Sequence, residues 1–230
     1  MCGRFVGFRN LEQLRNFFPI DRAMCKVTAS YNVAPSQEIL AIVCREGENR
    51  LEKFHWGLVP FWAKDTSMGK RLVNARAETI ASKPSFRNAF KKRRCLIIAD
   101  GFYEWRSMNH GKQPVFITLP DKHPFAFAGL WEPWNKKDNS HPAYHSCTII
   151  TIEASVAIRQ IHHRMPAVLK TDVYETWLDP KNQDVHALQS ILKNDVITEF
   201  SSYPVSNSVN SVRNNDPSNI EPFTQMQLDF

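Results

Sequence analysis

Residues 95–131, CLIIADGFYEWRSMNHGKQPVFITLPDKHPFAFAGLW, hold four short runs dense in β-branched and aromatic side chains. On that content 95–99, 103–106, 114–119 and 125–131 are read as strands, because such side chains fit a pleated, half-buried surface. Outward from there, 146–153 reads the same way, and 39–44 and 52–58 add two strands upstream. A strand near 197–205 is expected to close the sheet. The helices are short. Asn10 is placed to cap a helix over 10–18, where Leu11, Leu14, Phe17 and Phe18 share a face and Pro19 ends the run. Residues 85–92, opened by a serine cap, and 156–161, 173–178 and 185–192 supply the other helices. Many short strands with few long helices predict a single α+β domain on a mostly antiparallel, barrel-like β-sheet with peripheral helices. From Ser206 onward the chain is polar, rich in Asn and Ser, and is expected to lie as an irregular segment over the surface.

The 230 residues, 43% of them hydrophobic, suffice for one substantial core. A formal net charge of +6 and a pI of about 9.1 admit an acidic partner such as nucleic acid without singling one out. The five cysteines, Cys2, Cys25, Cys44, Cys95 and Cys147, are odd in number and form no C-x-x-C pair, which predicts a reduced, intracellular protein without structural zinc. No basic region followed by an apolar run opens the chain, and no apolar stretch reaches the ~18 residues of a membrane span.

The chemistry begins at Met1-Cys2-Gly3-Arg4. A small second residue lets an aminopeptidase remove Met1, leaving Cys2 with a free α-amine and a thiol on neighbouring carbons. With an unperturbed pKa of ~7.7–8.0, that amine has a neutral fraction at pH 7 that attacks aldehydes. The thiol then closes on the imine to give a five-membered thiazolidine. Two other readings stand beside this one: a cysteine with no role after a start codon, and the nucleophile of a glutamine amidotransferase, which also starts Met-Cys-Gly. Amidotransferases usually continue with an apolar residue where this chain has Arg4.

Further along, 31–35 (YNVAP) reads as a turn. In 55–62 (HWGLVPFW), aromatics near a turn suit stacking on exposed bases or filling the core; Trp56 is expected in the core, and for Trp62 both readings stand. Alternation puts Asn74, Arg76 and Glu78 on one face of an extended segment, a set suited to an anionic ligand or to plain solvation. Glu104 stands between Tyr103 and Trp105; burial beside them would raise its pKa into the range of a useful proton donor. His162 and His163 are candidate proton shuttles, and the sequence does not choose between them. No cluster with metal-ligand spacing accompanies them.

The segments 1–5 (MCGRF), 31–35 (YNVAP), 56–62 (WGLVPFW), 74–79 (NARAET), 99–105 (ADGFYEW) and 161–166 (IHHRMP) occur in the order found in the SRAP family, the SOS-response-associated peptidase-like proteins. The chain resembles that family from residue 2 to about residue 222, with 209–215 (VNSVRNN) also similar and 223–230 left as a tail. The resemblance implies a protein of the DNA damage response that forms a covalent crosslink with abasic sites in single-stranded DNA through Cys2. It implies that Asn74 orients the reacting sugar, that Glu104 is the acid–base carboxylate and that His162 assists Schiff-base formation and reversal. Arg4, Arg76 and Arg164 fall on arginines expected to hold phosphates, and Asn32 and Trp62 join the DNA-binding set. His163 stands where some relatives carry Asp, and 61–63 (FWA) lacks the paired tryptophans some relatives show.

The chemistry so implied is lyase-like, with no metal or organic cofactor. The expected partner is single-stranded DNA containing abasic sites, bound by a monomer that is nucleoid-associated in a bacterial cytoplasm or nuclear in a eukaryote, with no membrane contact. Two other classes remain open: a Cys2-dependent peptidase whose self-processing is limited to Met1, and a non-covalent single-strand binder using the basic run at 91–94. Gln225, Leu228 and Phe230 also match the Gln-x-x-Leu-x-Phe peptide that docks on bacterial sliding clamps.

Overall fold

The computed structural model describes residues 2–135 and 143–223, so Met1 and the tail residues Gln225, Leu228 and Phe230 lie outside the described part. Among the described residues the early strands are β1 (Phe5–Gly7), β2 (Arg22–Ala23), β3 (Ser30–Val33), β4 (Glu38–Arg45), β5 (Glu48–Trp56) and β6 (Asn74–Arg76). The run read first from the sequence becomes β7 (Arg94–Ala99), β8 (Gly101–Ser107), β9 (Lys112–Thr118) and β10 (Phe125–Trp134). Beyond it come β11 (Tyr144–Glu153), β12 (Arg164–Pro166), β13 (Val168–Leu169) and β14 (Ser201–Pro204). The helices are α1 (Leu11–Arg15), α2 (Arg87–Lys92), α3 (Val156–Arg159), α4 (Tyr174–Leu178) and α5 (Val185–Asn194). The result is an α+β domain, as the sequence predicts.

One sheet has the order β14-β9-β8-β1-β3. The other follows β12-β11-β10-β7-β4-β5-β2, with β6 added parallel to β11 and β13 antiparallel to β10. A parallel pairing of β11 with β5, Cys147 opposite Trp56, closes β11-β10-β7-β4-β5 into a ring. The ring is thus closed by β11 and β5, not by the segment 197–205. There only Ser201–Pro204 is a strand, and it pairs with β9 at the edge of the other sheet.

In the ring, β7, β10 and most of β11 are buried on both faces, which explains their near-continuous apolar runs, whereas β5 alternates buried and more exposed residues. Ile42, Leu51, Leu96, Ile98, Ala126 and Ile150 face a core shared with Leu14, Phe90, Trp177 and Leu188 of the helices. Their alternates, among them Ala41, Cys95, Ile97, Phe127 and Ile149, face a second core that also takes in Cys2 and, from the first sheet, Phe5 and Phe102. Each fully buried Leu, Ile or Phe contributes roughly 1.5–3 kcal/mol by leaving water.

Local signals were mostly right about elements and wrong about some caps. Asn10 forms a capping box with Gln13, but α1 ends at Arg15, short of Phe18. Ser85 caps nothing: α2 starts after Phe86, with no side-chain cap. The segment read as a turn at 31–35 is largely strand β3, held against β1 by Phe5 opposite Val33. The basic run is structural at its end. Arg94 is 2% exposed and donates to the carbonyls of Phe90, Lys91, Trp177, Asp179 and Asn182. It satisfies the open carbonyls at the ends of α2 and α4 together.

The polar C-terminal segment is anchored rather than merely draped: Val209 and Asn219 are fully buried. Asn32, 1% exposed, shares its two amide hydrogens among the carbonyls of Val209 (3.2 Å), Ser211 (2.9 Å) and Asn214 (2.6 Å). Its Oδ1 accepts from Arg4 at 2.6 Å. Replacing Asn32 by Ala strands these groups together, and the expected loss is roughly 2–4 kcal/mol. Chemical denaturation measures it, and hydrogen exchange should quicken at 207–215; a loss below about 1 kcal/mol would show that Asn32 is not the anchor.

Candidate functional site

The site is assembled where the chain's start crosses β8. Phe5 lies opposite Phe102, and the Arg4 carbonyl accepts from the Tyr103 amide at 2.9 Å. Continuing that antiparallel run lays Cys2 beside the Glu104 end of β8. Cys2 is fully buried in the inner core. The Asn74 amide donates to the Cys2 carbonyl at 2.9 Å, while Asn74 Oδ1 is buried with no hydrogen-bond partner. Asn74 thus fixes the Cys2 backbone and keeps an acceptor in reserve.

Glu104 is 3% exposed, but not for the reason its neighbours suggest. Tyr103 and Trp105 point to the opposite face of β8, where they pack with Val6 and Phe116. Glu104 shares its face with Phe102 and is buried on the Cys2 side. Burial raises its pKa above the usual carboxylate range. Burial, and then the charge of Glu104, also push the Cys2 thiol up, so the thiol is held protonated.

His162 and His163 stack, with ring centroids 4.4 Å apart. His162 is half-buried and its Nδ1 accepts from the Arg164 amide at 2.9 Å. Burial lowers its pKa, so the neutral ring prevails at pH 7; Nδ1 also lies 3.1 Å from the Arg164 carbonyl, and either tautomer keeps a bond to the Arg164 backbone. His163 is exposed, and the stack ties it to His162. Among the described residues no group of three or more His, Cys, Asp or Glu gathers in a way that would hold a metal.

The expected DNA-binding residues divide. Arg4 and Asn32 bond each other, and Arg4 also donates to the Val209 carbonyl at 2.7 Å. Arg164 is 9% exposed, its fork gripped by Glu78 at 2.6 and 3.0 Å and its NH2 donating to the Thr151 carbonyl at 2.6 Å. Arg76 is exposed. Together with Arg159, His163 and Arg164 it lines a polar cleft of about 690 Å³, bounded by Glu78 and Glu153. Arg159 was missed in the sequence; its one signal is its place just ahead of the HHRMP segment. Trp62 is 46% exposed and Trp56 is in the core at 1%. The loop bearing Trp62 is held by Trp134 Nε1 on the Ala63 carbonyl at 2.9 Å. Its base is Gly57, at φ +135, where a Cβ would meet the Gly69 carbonyl oxygen at 2.6 Å.

A profile of the family described as SOS response associated peptidase (SRAP) matches residues 1–212. A Bacillus subtilis protein named abasic site processing protein YoqW is 45% identical over 224 residues, covering 96% of this chain and 99% of that protein. The Gallus gallus abasic site processing protein HMCES is 34% identical over 224 residues, covering 84% of this chain and 66% of that protein. A solved structure from Bacteroides thetaiotaomicron superimposes with a TM-score of 0.84 at 27% identity, over 97% of this chain and 100% of its own.

The His162 geometry has a direct spectroscopic consequence. Nitrogen-resolved NMR should find a His162 titration midpoint below the ordinary 6.5. A midpoint above that value would contradict the site as described.

Proposed function

Because this chain belongs to the SOS response associated peptidase (SRAP) family, we propose that it is a covalent sensor of abasic sites in single-stranded DNA, acting in the DNA damage response through Cys2 once Met1 is removed. Relatives named abasic site processing proteins support the substrate. The observation that carries the chemistry is the placement of Cys2 against Asn74 and the buried Glu104, with the histidine pair adjoining.

The ring-opened abasic sugar presents an aldehyde at C1′. The neutral Cys2 amine adds to it, forming a C–N bond and a carbinolamine. Protonated Glu104 gives a proton to the departing hydroxyl, water leaves and an iminium forms. The Cys2 sulfur then bonds to the same carbon, its proton passing to Glu104 or His162, and the thiazolidine closes. One water is lost overall. A buried, protonated thiol suits this order, in which the amine acts first and the sulfur meets an activated carbon. Asn74 Oδ1 is available to accept from a sugar hydroxyl and so orient C1′.

The peptidase reading has weaker support. A cysteine peptidase relies on a lowered thiol pKa, and here burial and Glu104 raise it. Self-processing would be limited to Met1, and retention of Met1 only in Cys2→Ala, in a translation system without aminopeptidase, would favour it. The non-covalent reading loses part of its basic run to Arg94's buried carbonyl contacts and to the pairing of Arg93 with Glu132 at 2.5 Å. As a further partner, the tail residues Gln225, Leu228 and Phe230 fit a sliding clamp. Deleting the last six residues should abolish clamp binding, and undiminished binding would remove that partner.

Intact-mass analysis tests the central reading. Mature protein mixed with an abasic single strand should gain the mass of the oligonucleotide less one water. Cys2→Ala should give no adduct that persists without reductant, and Glu104→Gln should slow the reaction about 10²-fold. A persistent adduct on Cys2→Ala, or none on the wild type with free Cys2, would overturn it.

A further inference from the structure

Two clefts on one side of the molecule share a wall. The first is the polar cleft of Arg76, Arg159, His163 and Arg164. The second, of about 520 Å³, meets it at Glu78 and Glu153 but is mainly apolar, lined by Ala77, Ile152, Met165, Leu192 and Val196. Its volume falls in the range of small-molecule sites. Gln189 and Lys193, one helical turn apart on α5, also line it. Each cleft also includes a buried hydroxyl with no partner, Thr79 in the polar one and Ser155 in the apolar one.

The pairing of these clefts has a chemical meaning. Guanidinium groups next to an apolar slot that carries an amide match a phosphate joined to a flat heterocycle. Glu78 grips the fork of Arg164, so the exposed Arg76 and Arg159 are the cations open to an incoming anion. Arg76 stands two residues along β6 from Asn74, about 6–7 Å of extended chain, which is within one phosphodiester step of the reacting sugar. His163, stacked on His162, also lines this cleft.

We propose that the two clefts form a subsite for the nucleotide next to the abasic residue on the same strand, with its phosphate between Arg76 and Arg159 and its base in the apolar slot beside Gln189. This rests on the chain binding single-stranded DNA. It adds a base-reading element to a lesion that has no base of its own. The protein would then grip a base beside the gap and favour abasic sites whose neighbour is intact.

The Cys2→Ala protein, which cannot close a thiazolidine, isolates the binding step. Its affinity is measured by fluorescence anisotropy for single strands carrying a central tetrahydrofuran abasic analogue. The 5′ neighbour, the 3′ neighbour or neither is also replaced by tetrahydrofuran. Removing the base on one side should weaken binding about tenfold and on the other side much less. Gln189→Trp, which fills the slot from the surface of α5, should erase that difference. Arg159→Ala should weaken all strands alike and lower the salt slope by about one. Equal affinity for all strands overturns the subsite, as does a Gln189→Trp protein that still discriminates. If wild-type protein fails to crosslink while Cys2→Ala still reads the neighbouring base, the covalent reading falls and the subsite stands.

Discussion

Strand β11 is the constraint on which the site depends. Its two edges are both used, by different partners at successive residues. Cys147 lies between Trp131 and Trp56, Ile149 between Gly129 and Asn74, and Thr151 between Pro166 and Arg76. One edge therefore carries β10 and then the Arg164–Pro166 segment, and the other carries the end of β5 and then the Asn74–Arg76 segment. Segments nearly ninety residues apart in sequence, such as Glu78 and Arg164, meet across it. A slip of one residue in β11 would turn every side chain to the other face and open both the ring and the site.

The second organising fact is that Cys2, the proposed reacting group, sits in the core. Cys2 packs with Phe5 and Phe102, so water is largely excluded from its thiol, and Glu104 is buried on the same side. Such surroundings favour neutral forms: burial is the first cause that raises the Glu104 carboxyl and the Cys2 thiol and that lowers the His162 imidazole. Those are the forms that a dehydrating condensation of amine and aldehyde uses. The low dielectric that costs stability here also keeps the proton carriers ready near neutral pH.

Much of this was legible in the sequence, and the reasons for the remainder are physical. The strands from 94 to 153 announced themselves because both of their faces are apolar, and Asn10 announced α1 because a cap is a local interaction. Cys2, Asn74, Glu104 and His162 stood out as residue types with chemistry. What could not be read was set by partners far away in the chain. Residues 31–33 carry turn-like Asn yet form a strand because β1 and the segment at 209–214 bind them on two sides. Arg94 looked like part of a solvated basic run, and its carbonyl partners lie as far off as Asn182. Glu104 was expected to be buried by the aromatics beside it, but alternation along β8 sends those to another core.

The arginines show how the same side chain divides its work. Arg4 and Arg164 each have short bonds to protein acceptors, 2.6 Å to Asn32 and 2.6 Å to Glu78, and both are largely withdrawn from solvent. A phosphate that took the Arg164 fork would have to displace a bidentate carboxylate, half-exposed Glu78, and leave that charge beside its own. Arg76 and Arg159 face no such exchange. The held arginines therefore shape the walls of the cleft, while the exposed Arg76 and Arg159 are the ones open to an incoming anion. Glu78 keeps the Arg164 fork aligned and sets a carboxylate at the rim of the cleft, where an anion gains most from Arg76 and Arg159.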